Sequence, residues 1–217
     1  MGILIASSPR SGSSCLSGLV QLHGFSLGKD VATVKDTYNE KGYFENESIL
    51  NFNRSALDQI GVNVFCEEKP TESQIEKSLD FNTHLEDVFD RQFSGELFSI
   101  KDPRIAILQD LYLKVSPSSK VILLRRNSED SAKSMQRMRG FDLSKGMAVK
   151  AVYDALLDDM RDKADCLEMS FESVLSDPVA SLGTFCEWAG VELQESVVLE
   201  FIERKLVHFN ESSDSNI

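Results

Sequence analysis

With 217 residues and 41% hydrophobic side chains, the chain is long enough for one good core and short for two, so a single domain over 1–217 is expected, its polar end 210–217 a disordered tail. A formal charge of −12 argues against nucleic acid or an anionic membrane surface as partner, because both call for a basic face. Four scattered cysteines (Cys15, Cys66, Cys166, Cys186) make no C-x-x-C pair and have no histidine at ligand spacing, so neither a disulfide framework nor a zinc site is suggested. With no basic leader and no run approaching the ~18 apolar residues of a membrane span, a cytoplasmic protein is expected.

The first twenty-odd residues organise the rest. Ile3 to Ala6 reads as a buried strand, Ser7 to Ser14 as a Ser/Gly/Pro loop, and Leu16, Leu19, Val20 and Leu22 recur at helical spacing. In a strand, loop and helix of this kind the amides around Gly12 converge, the helix dipole favours negative charge, and Arg10 adds a cation. That spot suits a phosphate; the plain alternative is a serine-rich turn or a disordered start. The lysine that ends a triphosphate-binding loop is missing, since Ser13 and Ser14 follow Gly12.

Gly24 suits the end of the first helix, and Phe25 to Lys41 reads as a loop. Gly42-Tyr-Phe-Glu45-Asn-Glu47 then leads into a helix marked by Ile49, Phe52, Ala56, Leu57 and Ile60 and closed by Gly61. Tyr43 and Phe44 would partly desolvate the Glu45 carboxylate, as a general base near neutral pH requires; equally, Glu45 and Glu47 would complement a helix dipole. A helix with Ile75, Leu79, Leu85, Val88 and Phe89 inside follows Pro70, capped by Thr71 or Ser73, with a break at Asn82-Thr83 allowed.

Leu97 to Ile100 reads as a strand delivering Lys101-Asp102-Pro103-Arg104 to its end, where open α/β sheets bind ligands. Pro103 bars helix at Asp102, and a helix with Ile105, Leu108, Leu111, Tyr112 and Val115 inside runs to Pro117. Lys120 to Leu124 is the clearest parallel strand, nearly all aliphatic. It delivers Arg125 and Arg126 to a helix capped by Asn127 or Ser128, and the eight-residue spacing from Arg126 to Ser134 can set a guanidinium and a hydroxyl around one anion. Charge is uneven here: nine acids face three bases from Glu67 to Glu96, whereas nine bases face four acids from Leu97 to Gly140. Such a basic window either collects around a small anion or forms a solvated helix face, and Arg137 and Arg139 fit both readings. Helices over 142–163, 177–190 (Asp177 cap, Pro178 at the first position) and 195–206, with a strand over 167–171 between the first two, complete the reading.

Pro9-Arg-Ser-Gly-Ser-Ser14 resembles the 5′-phosphosulfate loop of sulfotransferases that use 3′-phosphoadenosine 5′-phosphosulfate (PAPS), and Leu123-Leu-Arg-Arg-Asn-Ser through Ser134 resembles their 3′-phosphate motif. The segment from Met169 through Asp177-Pro178 to Val191 is similar to the family's closing stretch. The resemblance implies an α/β fold: one domain, a central parallel sheet of four to five strands, helices on both faces and a P-loop-like phosphosulfate loop. It implies transfer of a sulfuryl group from PAPS to a hydroxyl or amine by in-line displacement, without a metal. Arg10, Ser11, Gly12, Ser13 and Ser14 would hold the 5′-phosphate, and Arg126 and Ser134 the 3′-phosphate. Glu45 would be the base, Arg10 would stabilise the leaving phosphate, and Lys101 or Arg104 would assist at the sulfuryl oxygens. The acceptor would be a small molecule or glycan.

Ser128 stands where the family commonly has Pro, Phe171 and Ser173 where Tyr and Asp are usual, and the glycine-rich C-terminal motif of the cytosolic animal enzymes is absent. The chain is short for the family, which leaves the acceptor lid either reduced or supplied by a second subunit of a homodimer. Two other classes share the strand-loop-helix start: a small-molecule kinase using ATP, with Asp102 as its magnesium ligand, and a non-catalytic nucleotide-binding or scaffold protein.

Overall fold

The computed structural model describes residues 1–32, 42–95 and 97–202. Four strands, β1 (Gly2–Ser7), β2 (Phe98–Lys101), β3 (Lys120–Arg125) and β4 (Cys166–Ser170), form one parallel sheet in the order β2-β1-β3-β4. All six residues of β1 are buried. Its register pairs Ile5 with Lys101, the last residue of β2, and Ser7 with Leu124, so β1 and β3 run past the end of β2.

Alternation along the strands assigns the two faces. Leu4, Ala6, Val121 and Leu123 point into one apolar core, and Ile3, Ile5, Ile122 and Leu124 into the other. A strand covered on both sides has no polar face, which is why these read as unbroken aliphatic runs.

In chain order the helices are α1 (Ser13–Leu22), α2 (Glu47–Ile60), α3 (Glu72–Ser78), α4 (Asn82–Gln92), α5 (Arg104–Ile107) and α6 (Gln109–Val115). They continue with α7 (Ser128–Arg139), α8 (Leu143–Arg161), α9 (Phe171–Ser176), α10 (Pro178–Ala189) and α11 (Glu195–Phe201). The Leu4 face packs against α2, α4 to α6 and α8; the Ile3 face packs against α1, α9, α10 and α11. The expected single α/β domain with helices on both faces is what the chain forms, with four strands.

The local signals hold at several ends. Asn127 caps α7 by accepting from the amides of Glu129 and Asp130, Asp177 caps α10 with Pro178 at its start, and Thr71 and Gln74 form a reciprocal capping box on α3. Elsewhere one expected helix is two. The span 105–115 is interrupted at Leu108, and the 71–93 span breaks through a 3-10 turn at Leu79–Phe81, just before Asn82-Thr83. The second break falls next to the place the sequence allowed one, at Asn82-Thr83; the first goes unseen because an apolar period continues across a single non-helical residue. The loop expected over 25–41, the last helix expected to 206 and the tail 210–217 lie partly or wholly outside the described residues. Cys186 is buried, whereas Cys15, Cys66 and Cys166 are half-buried. Among the described residues no helix is long and apolar enough to cross a membrane, and no group of three or more His, Cys, Asp or Glu side chains is placed to hold a metal.

Candidate functional site

From β1 the chain crosses to β2 on one side and later to β3 on the other, so the strand order reverses between β1 and β3. In open α/β sheets the crevice beyond such a reversal is where ligands bind. A cleft of about 910 Å³ opens there, lined among others by Arg10, Gly12, Ser14, Glu45, Lys101 and Arg126.

The loop after β1 is tightly built. Ser8 and Ser11 share a hydroxyl hydrogen bond of 2.5 Å, Arg10 adopts φ 65° and Gly12 φ 79°. Arginine rarely adopts that left-handed geometry, which costs of the order of 1 kcal/mol and is found where the surroundings enforce it. At Gly12 a side chain is excluded twice over: the φ disfavours one, and an added Cβ would sit 2.2 Å from the Phe171 ring. Gly12 leads into α1, which has no side-chain cap and no acid in its first turn. Its positive end therefore opens on the cleft without a counter-charge from its own first turn, a setting that favours an anion.

The second predicted anion group comes from β3 and α7. Arg126 donates from Nη1 to the Arg10 carbonyl at 3.1 Å, and Arg10 Nε donates to Ser134 Oγ at 2.9 Å. Residues 116 and 124 positions apart thus meet at one spot. Arg126 is 9% exposed and its guanidinium lies 5.1 Å from the Phe171 ring centre. Burial pulls its pKa below the ordinary guanidinium value; Asp130 and Glu172 oppose that pull, and Arg10 and Arg137 add to it. Sequence reading gave Arg10 to the loop's own anion; the structure carries its side chain across to Ser134.

The third group stands at the end of β2. Lys101 is 4% exposed, and its Nζ lies 2.6 Å from Glu45 Oε1 and 3.4 Å from Ser14 Oγ. Glu45 is thus brought into the cleft beside the loop, held by a buried ammonium, with Tyr43 against the same ammonium at 6.0 Å. Such a buried pair is costly to break from one side only. Asp102 does not face the cleft as a free acid: Asn53 Nδ2 donates to it at 3.1 Å, and the Arg104 backbone and guanidinium both donate at 2.9 Å. Tyr112 completes the chain by donating to Asn53 Oδ1 at 2.9 Å, and burial first, then the Asp102 charge, push its phenol well above the usual range. Sequence reasoning missed Asn53 and the role of Phe171; a ring at the position where the family pattern has Tyr was the one available signal for the latter.

The sulfotransferase family model matches residues 2–195. Among solved structures, the sulfotransferase domain of the Synechococcus PCC 7002 olefin synthase is similar at 16% identity and TM-score 0.58, covering 95% of this chain and 78% of that one. The sulfotransferase domain from the curacin biosynthetic pathway is similar at 16% identity and TM-score 0.55, with 93% and 77% covered. Sulfotransferase STF1 of Mycobacterium tuberculosis H37Rv is similar at 10% identity and TM-score 0.54, with 94% and 71% covered. No curated protein matches the chain in sequence. The structural likenesses show the fold; the family match over nearly all of the described chain shows that this protein belongs to the sulfotransferase family.

Proposed function

We propose that the cleft binds PAPS and that the protein transfers its sulfuryl group to a hydroxyl or amine of a small acceptor. The observation that supports this reading is that the loop after β1 and the start of α7, the two proposed anion-binding groups, meet through one residue. Arg10 leaves the loop at the end of β1 and bonds Ser134, while Arg126 bonds the Arg10 carbonyl. A nucleotide with phosphates at both its 5′ and 3′ positions matches two such sites; AMP matches one.

The groups present fit that ligand. The uncapped start of α1, with Gly12, Ser13 and Ser14, would hold the 5′ phosphosulfate, and Arg126 with Ser134 the 3′-phosphate. Arg10 lies between the two and serves both. In the transfer, the bond from sulfur to the 5′-phosphate oxygen breaks and a bond from sulfur to the acceptor oxygen or nitrogen forms. The loop amides and α1 stabilise the charge that builds on the departing phosphate. Glu45 takes the acceptor proton, and Lys101, between Glu45 and Ser14, positions that carboxylate and faces the sulfuryl oxygens. Since the protein mainly positions and neutralises, this chemistry calls for no metal.

Titration calorimetry with 3′-phosphoadenosine 5′-phosphate, AMP and ATP, without metal, tests the reading. The 3′-phosphorylated nucleotide is expected to bind at least tenfold tighter than AMP, and Arg126→Ala to erase that preference. Tighter binding of ATP with magnesium would favour a kinase instead. Glu45→Gln, which keeps the shape, is expected to lower sulfuryl transfer by 10²-fold or more with nucleotide affinity unchanged; unaltered turnover would remove Glu45 as the base.

A further inference from the structure

We infer that the acceptor is anionic: an apolar body bearing the reacting hydroxyl or amine, with an acidic head group held by Arg54 and Arg139. The inference rests on the PAPS reading of the other end of the same cleft. Six cations line this cleft in a chain of net charge −12, and four already have duties. Arg10 bonds Ser134, Arg126 bonds the Arg10 carbonyl, Lys101 pairs with Glu45, and Arg104 pairs with Asp102. Arg54 and Arg139 are exposed in the cleft wall and have no carboxylate partner among the described residues.

Their positions give the acceptor a direction. Glu47, Leu50, Asn51 and Arg54 line the cleft from α2 at the spacing i, i+3, i+4, i+7, which is one face of the helix. That face begins two residues after Glu45 and reaches Arg54 after a rise of about 10 Å. Leu50, Val64 and Phe65 give this stretch of the wall apolar surface beside Glu47 and Asn51, and the Arg139 guanidinium lies 5.4 Å from the Phe65 ring centre. An acceptor that sets its nucleophile at Glu45 runs past Leu50, Val64 and Phe65 and brings its far end to Arg54 and Arg139, whose guanidiniums recognise a carboxylate or phosphate best.

The probes are a series of ω-hydroxy carboxylates of increasing chain length and the matching neutral diols, titrated calorimetrically against the full chain with and without 3′-phosphoadenosine 5′-phosphate. The carboxylate of best length is expected to bind at least tenfold tighter than its diol. Arg54→Ala and Arg139→Ala should each remove most of that difference, Arg54→Glu should reverse it, and raised salt should narrow it. All three variants should keep wild-type nucleotide affinity, which also reports that they fold. Equal binding of carboxylates and diols, or binding of neither series, overturns the inference. Failure of the nucleotide to bind is a separate result that removes the PAPS reading while the carboxylate preference is still measured.

Discussion

Helices α1 and α7 begin side by side, one after β1 and one after β3, yet they treat the same electrostatic problem in opposite ways. Asn127 accepts two of the first amides of α7, and Glu129 and Asp130 offset its positive end. Neither device is present on α1. A helix start whose amides its own chain has satisfied has little left for a ligand, so on the proposed reading an anion beside α7 is held by side chains, Arg126 and Ser134. The proposed α1 site would be made of backbone, in a geometry that glycine at position 12 permits.

The difference predicts where each site is fragile. The largest effect should come from Gly12→Ala, which places a methyl at positive φ and into the Phe171 ring. It is expected to cost about 1 to 2 kcal/mol of stability and more than tenfold in affinity for every 5′-phosphorylated nucleotide, read by denaturant unfolding and calorimetry. A variant that binds AMP normally would break the comparison. Ser134→Ala removes a hydroxyl that Arg10 uses and should weaken the 3′-phosphorylated nucleotide roughly threefold to tenfold while sparing AMP.

Asn127→Ala sharpens the comparison from the other side. Losing this cap should cost about 1 kcal/mol in chemical denaturation with AMP affinity unchanged, since α7 does not lend its amides to the ligand. The end of β2 gives the smallest effect, nil near neutral pH. Its acid, Asp102, is satisfied through Arg104, Asn53 and, behind Asn53, Tyr112. Burial raises the Tyr112 phenol, so the fold prefers it protonated. The stability this gives is complete below the unfolded-chain value of about 10 and declines as pH rises past it. Denaturation midpoints followed into alkali should therefore stay level and then fall, with phenolate absorbance from Tyr112 appearing only on unfolding; ionisation of that tyrosine in the folded protein at an ordinary pH would disprove it.

What could be read from sequence follows the range of the signal. Strand β3, the loop before α1 and the caps at Asn127 and Asp177 depend on neighbours a few positions away, and all are found where composition and spacing put them. The spacing of Arg126 and Ser134 could be read as well, because a strand end and the next helix turn fix it. The Lys101–Glu45 pair spans 56 positions, the Asn53–Asp102 contact 49 and the Arg10–Ser134 contact 124. No periodicity carries such pairings; the order β2-β1-β3-β4 creates them. Arg10 shows this directly, since its place in the loop was evident while the direction of its side chain depended on where β3 lay.

The Phe171 ring against Gly12 also bears on how the protein is made. The loop that begins the chain owes its packing to a side chain at the start of α9, beyond the last strand of the sheet. On the ribosome, at 5–20 residues per second, that ring emerges on the order of ten seconds or more after the loop. By then β3, which ends at Arg125, and the other strands of the sheet have already been made. The contact that fixes the loop around Gly12 therefore forms only after the strands it follows are in place.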